Sequence, residues 1–145
     1  MPIEVETRNV SGKVTALGTA GSFTLVVDRP VEAGGSGKGF NGGQLLYLAV
    51  AGCISNDLFR DAPQFGVTLK QVAVRVVGDF AGDPAVSGPI TYDVEVNGSG
   101  GRDALQRLVE HVERIAEIPN TLRRVTEVRL GRATIDDAQD SSATA

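Results

Sequence analysis

The stretch between Asn41 and Pro63 constrains this chain more than any other. Asn is a favoured helix N-cap, proline cannot continue a helix, and the residue before a proline avoids helical backbone. The spacing therefore predicts a helix from Gly42 to Asp61. Its middle, from Leu45 to Ile54, carries no charge and is apolar on every side. A helix of that kind must be surrounded by other apolar groups. At 145 residues the chain is one domain's worth, so partner atoms from a second chain are expected around it. The expected dimer core joins Leu45, Leu48, Ala49 and Val50 of this helix to Leu105, Leu108 and Val112 from further along. The apolar run is also about half as long as a bilayer crossing requires, so no membrane is expected as partner.

The flanking sequence alternates with the period of a half-buried strand. Val10, Val14 and Ala16 share one face, and Phe23, Leu25 and Val27 another, with Ala20-Gly21 as a hairpin turn between them. Residues 29–40 read as a loop with four glycines. Val72, Val74 and Val76 alternate within a strand from Val67 to Phe80. Gly82 to Gly88 reads as a loop, and Ile90 to Val96 as a strand closed by a turn over Asn97 to Gly101. A second helix is expected from Arg102 to Ile118, with Leu105, Leu108, Val109, Val112 and Ile115 as its apolar stripe and Pro119-Asn120 as its end. Val125, Val128 and Leu130 lead into a last strand ending near Ile135. Asp136 to Ala145 reads as a disordered polar tail, which leaves a single domain over residues 1–135. This order is not one simple βαβ series, and the expected class is α+β.

Composition excludes several functions. Fourteen Lys and Arg stand against eighteen Asp and Glu, a net charge of −4. A nucleic-acid binder needs a concentrated basic face to release counterions, so no nucleic acid is expected. One Cys rules out an internal disulfide framework, and one Cys with one His cannot supply the four ligands of a structural zinc. Gly37-Lys38-Gly39-Phe40-Asn41-Gly42 matches the dinucleotide fingerprint, but a loop separates it from the preceding strand and no βαβ unit follows. Nor is it a phosphate loop, since Gly39 stands where Ser or Thr is required. Neither metal nor cofactor is expected, and this segment reads as a flexible lid or a turn over the interface. The N-terminus lacks a basic region followed by an apolar stretch. A cytoplasmic location is expected, where a lone thiol stays free.

Phe40-Asn41-Gly42-Gly43-Gln44-Leu45-Leu46, followed by Ala49-Val50-Ala51-Gly52-Cys53, resembles the family of osmotically inducible and organic-hydroperoxide-resistance proteins, the OsmC/Ohr family. Gly34-Gly35 resembles it too. So does Gly66-Val67 leading into Val74-Arg75-Val76-Val77-Gly78-Asp79-Phe80, and so does Asn120-Thr121-Leu122-Arg123, in the same order over roughly residues 10–135. The resemblance implies an intertwined homodimer, with two long helices buried between β-sheets and active sites at the subunit interface. It implies reduction of organic hydroperoxides by a thiolate that an Arg and a Glu hold ionised, that a second Cys resolves and that a dithiol recycles. The reactive Cys of the pattern falls on Cys53. The Glu falls on Gly43, ten residues earlier, and the resolving Cys on Ala116, four residues before Asn120. The Arg falls near Gly12-Lys13. What is implied is a divergent single-cysteine member whose sulfenic acid waits for an external thiol reductant. Lys13, as a point charge, or Arg29 is the candidate cation for the thiolate. Phe40, Gln44, Ala49, Gly52 and Asn56 are the expected pocket lining around Cys53.

Cys53 itself has two readings, a nucleophile or a small buried apolar residue. Ala49, Gly52, Cys53, Asn56, Asp57 and Arg60 share a helix face. Asn56 is placed to donate to the sulfur, and Asp57 opposes a thiolate unless Arg60 neutralises it. Gly52 costs about 1 kcal/mol relative to Ala in a helix. It reads as close helix packing, with room for a substrate as the alternative. His111, beside Glu110 and Glu113, reads as part of a solvated helix face. Two functions of different class follow: a single-Cys peroxide-reducing enzyme, and a non-catalytic dimer that binds a small hydrophobic ligand at the subunit interface.

Overall fold

A computed structural model of the chain describes residues 1–138, which form two compact units, one from Met1 to Leu46 and the other from Tyr47 onward. The first unit is an antiparallel meander of β1 (Glu6–Asn9), β2 (Ala16–Ala20) and β3 (Phe23–Val27), in that spatial order. Gly21 and Ser22 turn β2 into β3, with Ala20 facing Phe23, as the Ala20-Gly21 signal predicts. Val10 and Val14 are not in a strand. They lie in the β1–β2 turn, where Val10 N–H bonds Thr15 O at 2.9 Å and Lys13 N–H bonds Val10 O at 2.8 Å. β1 carries no hydrophobic alternation and is exposed throughout, which is why the period-two signal misses it.

The glycine-rich segment after β3 is pinned, not a flexible lid. The buried Asp28 carboxylate accepts backbone N–H groups from Arg29 (2.7 Å), Ser36 (3.2 Å) and Lys38 (3.2 Å), and the Thr15 hydroxyl at 2.9 Å. Burial pushes this carboxyl up, but the four donors outweigh it and hold it below its ordinary value. Phe40 then bridges in parallel to Val27. The backbone passes itself so closely here that a Cβ on Gly35 would sit 2.0 Å from Arg29 O, and one on Gly39 2.2 Å from Val26 O. No side chain fits at either place.

Helix α1 spans Gly42–Asp61, the predicted range. Asn41 caps it as expected and more fully than expected. Gln44 N–H bonds Asn41 Oδ1 and Asn41 N–H bonds Gln44 Oε1, both at 2.9 Å, a reciprocal capping box. The rest of the second unit is a 3-10 turn over Ala62–Phe65, then β4 (Thr68–Val77), the small hairpin β5 (Phe80–Gly82) and β6 (Ala85–Ser87), β7 (Ile90–Ser99), α2 (Arg102–Ile115), α3 (Glu117–Leu122) and β8 (Val128–Asp137). The expected loop over Gly82 to Gly88 is thus largely a hairpin. The expected long second helix breaks at Ala116, whose ψ of 122° is not helical. Pro119 falls in the first turn of α3, where its missing N–H costs nothing. Val125 lies in the turn before β8 and is exposed. Asp136 and Asp137 belong to β8, while residues 139–145 of the expected tail lie outside the described residues.

β7 is the central strand, antiparallel to β4 and parallel to β8, which the α2–α3 crossover allows. The architecture is α+β, as expected. Ile90, Tyr92, Val94 and Val96 alternate inward from β7 and meet Leu105, Leu108, Val109 and Val112 of α2. Val50, Ile54 and Leu58 of α1 join the same core. Within this chain α1 is therefore buried along one stripe only, Val50, Ile54, Asp57, Leu58 and Asp61. Ala49 is exposed, Leu45 is half-buried, and Leu48 and Phe59 are each 48% exposed. Val50, Leu105, Leu108 and Val112 of the expected core are buried in the chain, and Leu45, Leu48 and Ala49 are not. Among the described residues no helix is long and apolar enough to cross a membrane.

Candidate functional site

Cys53 stands at the middle of α1, half-buried. Its Sγ lies 3.8 Å from Oδ2 of Asp57, one helical turn on. Asp57 is buried, and its Oδ1 takes the Arg60 guanidinium at 2.7 Å. The same guanidinium forks onto the next carboxylate, with Nε 2.7 Å from Asp61 Oδ1 and the other arm 3.0 Å from Oδ2. Asp61 also receives Gln64 at 3.4 Å and His111 Nε2 at 2.9 Å. The His111 ring rests on Phe65 with centroids 5.1 Å apart. The chain's one thiol and its one imidazole are thus the two ends of a single polar line, Cys53–Asp57–Arg60–Asp61–His111.

Two charges on this line, those of Asp61 and Arg60, are fixed. The Arg60 hydrogen bonds hold the Asp61 carboxyl down to about 2, against the opposing effect of burial and with help from His111. In return the Asp61 hydrogen bonds, with the charges of Asp57, Asp61 and Glu117, raise Arg60 above its ordinary value, so it stays protonated. An ionised carboxylate can only accept, so His111 Nε2 must carry the hydrogen it shares with Asp61. What this arrangement offers is a partly accessible sulfur beside a carboxylate whose charge is already paired. Among the described residues no group of His, Cys, Asp or Glu side chains is arranged to hold a metal ion.

Of the residues singled out from sequence, Ala49, Gly52 and Asn56 share the Cys53 face of α1. A Cβ on Gly52 would meet no atom within 4 Å, so the glycine leaves open space beside the thiol and is not a close-packing contact in this chain. Asn56 is exposed and makes no hydrogen bond to the sulfur. Lys13, Arg29, Phe40 and Gln44 belong to the first unit. Lys13 is exposed in the β1–β2 turn and Arg29 is exposed after β3. Phe40 is exposed and bridges Val27 through its backbone, while Gln44 is committed to the capping box. His111 is not on a solvated face, since its side chain is 25% exposed and ties into the network. Asp61 and Gln64 escape the sequence reading. The available signal was that Asp57 and Asp61 fall on the same turn-by-turn stripe as Val50, Ile54 and Leu58.

Residues 35–131 match the family model described as OsmC-like protein. This chain belongs to that family. No curated protein matches it. Solved structures of the OsmC-like fold superpose over most of its length. An OsmC-like protein from Mycoplasma pneumoniae aligns with a TM-score of 0.80 at 17% identity, covering 94% of this chain and 98% of that one. An organic hydroperoxide resistance protein OsmC from Legionella pneumophila aligns at 0.66 and 17%, covering 92% and 97%. The organic hydroperoxide resistance protein OhrB of Bacillus subtilis aligns at 0.61 and 20%, covering 91% and 98%. The OsmC-like fold accounts for the α+β class and its two principal helices.

Proposed function

We propose that this OsmC-like protein is a cytoplasmic homodimer that reduces organic hydroperoxides with Cys53 as its one reacting sulfur. The observation that carries the reading is the half-buried Cys53, with its sulfur beside a carboxylate already paired to Arg60. The organic-hydroperoxide-resistance relatives supply the substrate class. The Cys53 thiolate attacks the outer peroxide oxygen and the O–O bond breaks. The sulfur becomes a sulfenic acid, and the alkoxide leaves as an alcohol after taking a proton from water. An external thiol then condenses with the sulfenic acid, releasing water and forming a mixed disulfide. A second external thiol breaks that disulfide and returns Cys53.

The test is consumption of cumene hydroperoxide with dithiothreitol as donor. The wild-type chain turns over, and Cys53→Ser does not. A thiol that resists both peroxide and alkylating reagent until the protein unfolds overturns the reading.

A second reading draws on a different observation. The first unit holds an apolar concavity of about 410 Å³, lined by Val5, Gly18, Phe23, Leu25, Val27 and Leu45 among others. That volume suits a small hydrophobic ligand. A ligand-binding dimer without chemistry keeps its ligand in Cys53→Ser, which separates the two readings.

A further inference from the structure

No group of the polar line behind Cys53 exchanges an atom or a proton with the peroxide, and ordinary packing does not account for it. The buried stripe of α1 is otherwise apolar, yet it carries two carboxylates, Asp57 and Asp61, both nearly fully buried. Burying two acids is costly unless they are paired, and apolar residues would pack the stripe at no such cost. Both acids share one guanidinium, whose own side chain is 54% exposed. One of the two acids faces the only thiol of the chain. A negative carboxylate 3.8 Å from a sulfur disfavours a thiolate. A guanidinium 2.7 Å from that carboxylate offsets it.

We propose that Asp57 and Arg60 are positioning residues that set the ionisation of Cys53, with Asp61 and His111 holding the Arg60 guanidinium against Asp57. The proposal deepens the reading of Cys53 as the peroxide-reducing thiol and rests on it for its biological meaning, but it is measurable without peroxide. The charged groups acting on Arg60 are Asp57 and Asp61 from its own helix and Glu117 from α3, while His111 of α2 acts on Asp61. Gln64, from the 3-10 turn, is neutral. Removing Arg60 leaves Asp57 as an unpaired anion beside the sulfur. Removing the charge of Asp57 takes away the anion nearest the sulfur and leaves the cation of Arg60, still forked onto Asp61, one residue further along the line. The two changes must therefore move the thiol in opposite directions.

The experiment is alkylation of Cys53 by iodoacetamide across pH on the full chain, with folding checked by circular dichroism. Arg60→Gln should raise the midpoint and slow alkylation at pH 7 by about tenfold or more. Asp57→Asn should lower the midpoint and speed alkylation at pH 7. Arg60→Lys keeps the charge but loses the fork onto Asp61, so it should restore part of the rate. His111→Gln should move the midpoint the same way as Arg60→Gln, by less. A network that only packs the helix would shift both principal variants the same way or neither, and either result overturns the proposal. If Arg60→Gln does not fold, Asp57→Asn and Arg60→Lys still carry the sign. Opposite shifts with no hydroperoxide turnover by the wild-type chain would retain the inference and sink the peroxidase reading. Turnover without the opposite shifts would do the reverse.

Discussion

Asp28 and Asp61 are carboxylates in two different units, each enclosed by donors that favour the charged form. Both are held below their ordinary values, Asp61 at about 2. Each therefore contributes its stability in full above the unfolded carboxyl value of about 3.9, and loses it as pH falls through the lower folded value. Urea midpoints measured down the acid range should drop between about pH 4 and pH 2. Asp61→Asn should be less stable at neutral pH and show a shallower acid decline, because the titrating group is gone. An unchanged slope in that variant would remove Asp61 from the ledger of acid-labile groups. At this scale the sequence was legible where partners are close in the chain. Asp57 and Arg60 are three apart on one helix, so their pairing could be anticipated. The partner of His111 is fifty residues away and is fixed by the packing of α2 near the end of α1, which no local spacing records.

Helix α2 illustrates what an amphipathic period can and cannot convey. Leu105, Leu108, Val109 and Val112 are buried as their spacing predicts, with charges on the other face. Leu108 is fully buried in the core cluster, which also holds residues of β7 and β8. Leu108→Ala should cost about 2–5 kcal/mol, through lost burial and the cavity left behind. Chemical denaturation reads this directly, and a cost under about 1 kcal/mol would mean the core collapses around the gap. The period did not show where the helix ends. Ile115 continues the apolar pattern in sequence, but the backbone turns at Ala116 and restarts as α3. Arg123 locks that corner, donating to Val128 O at 2.8 Å, Glu113 O at 3.0 Å and Asn120 Oδ1 at 2.7 Å. Strands β1, β5 and β6 were illegible for a related reason. They are short and exposed, so nothing selects an apolar face.

The apolar surface of α1 bears on the whole molecule. A helix with apolar residues on every face is buried along only one stripe by its own chain. The remainder is only partly covered, with Leu48 and Phe59 each 48% exposed. In the first unit the meander leaves Phe23 79% exposed on a sheet whose apolar concavity is also open. Exposed apolar surface on each unit is a place for association, and a second copy of the chain carries the same surfaces to meet it. Static light scattering should therefore give the mass of a dimer for the wild-type chain. Leu48→Asp sets a charge where the partner is expected to cover it, and a buried unpaired charge is strongly disfavoured. Because Leu48 is half exposed in the single chain, the variant should keep its far-ultraviolet circular dichroism and lose its dimer mass. A folded variant that remained dimeric would place the interface elsewhere than on this face of α1. A variant that lost both mass and fold would mean that the core around Val50 and Ile54 forms only once the second chain has closed over it.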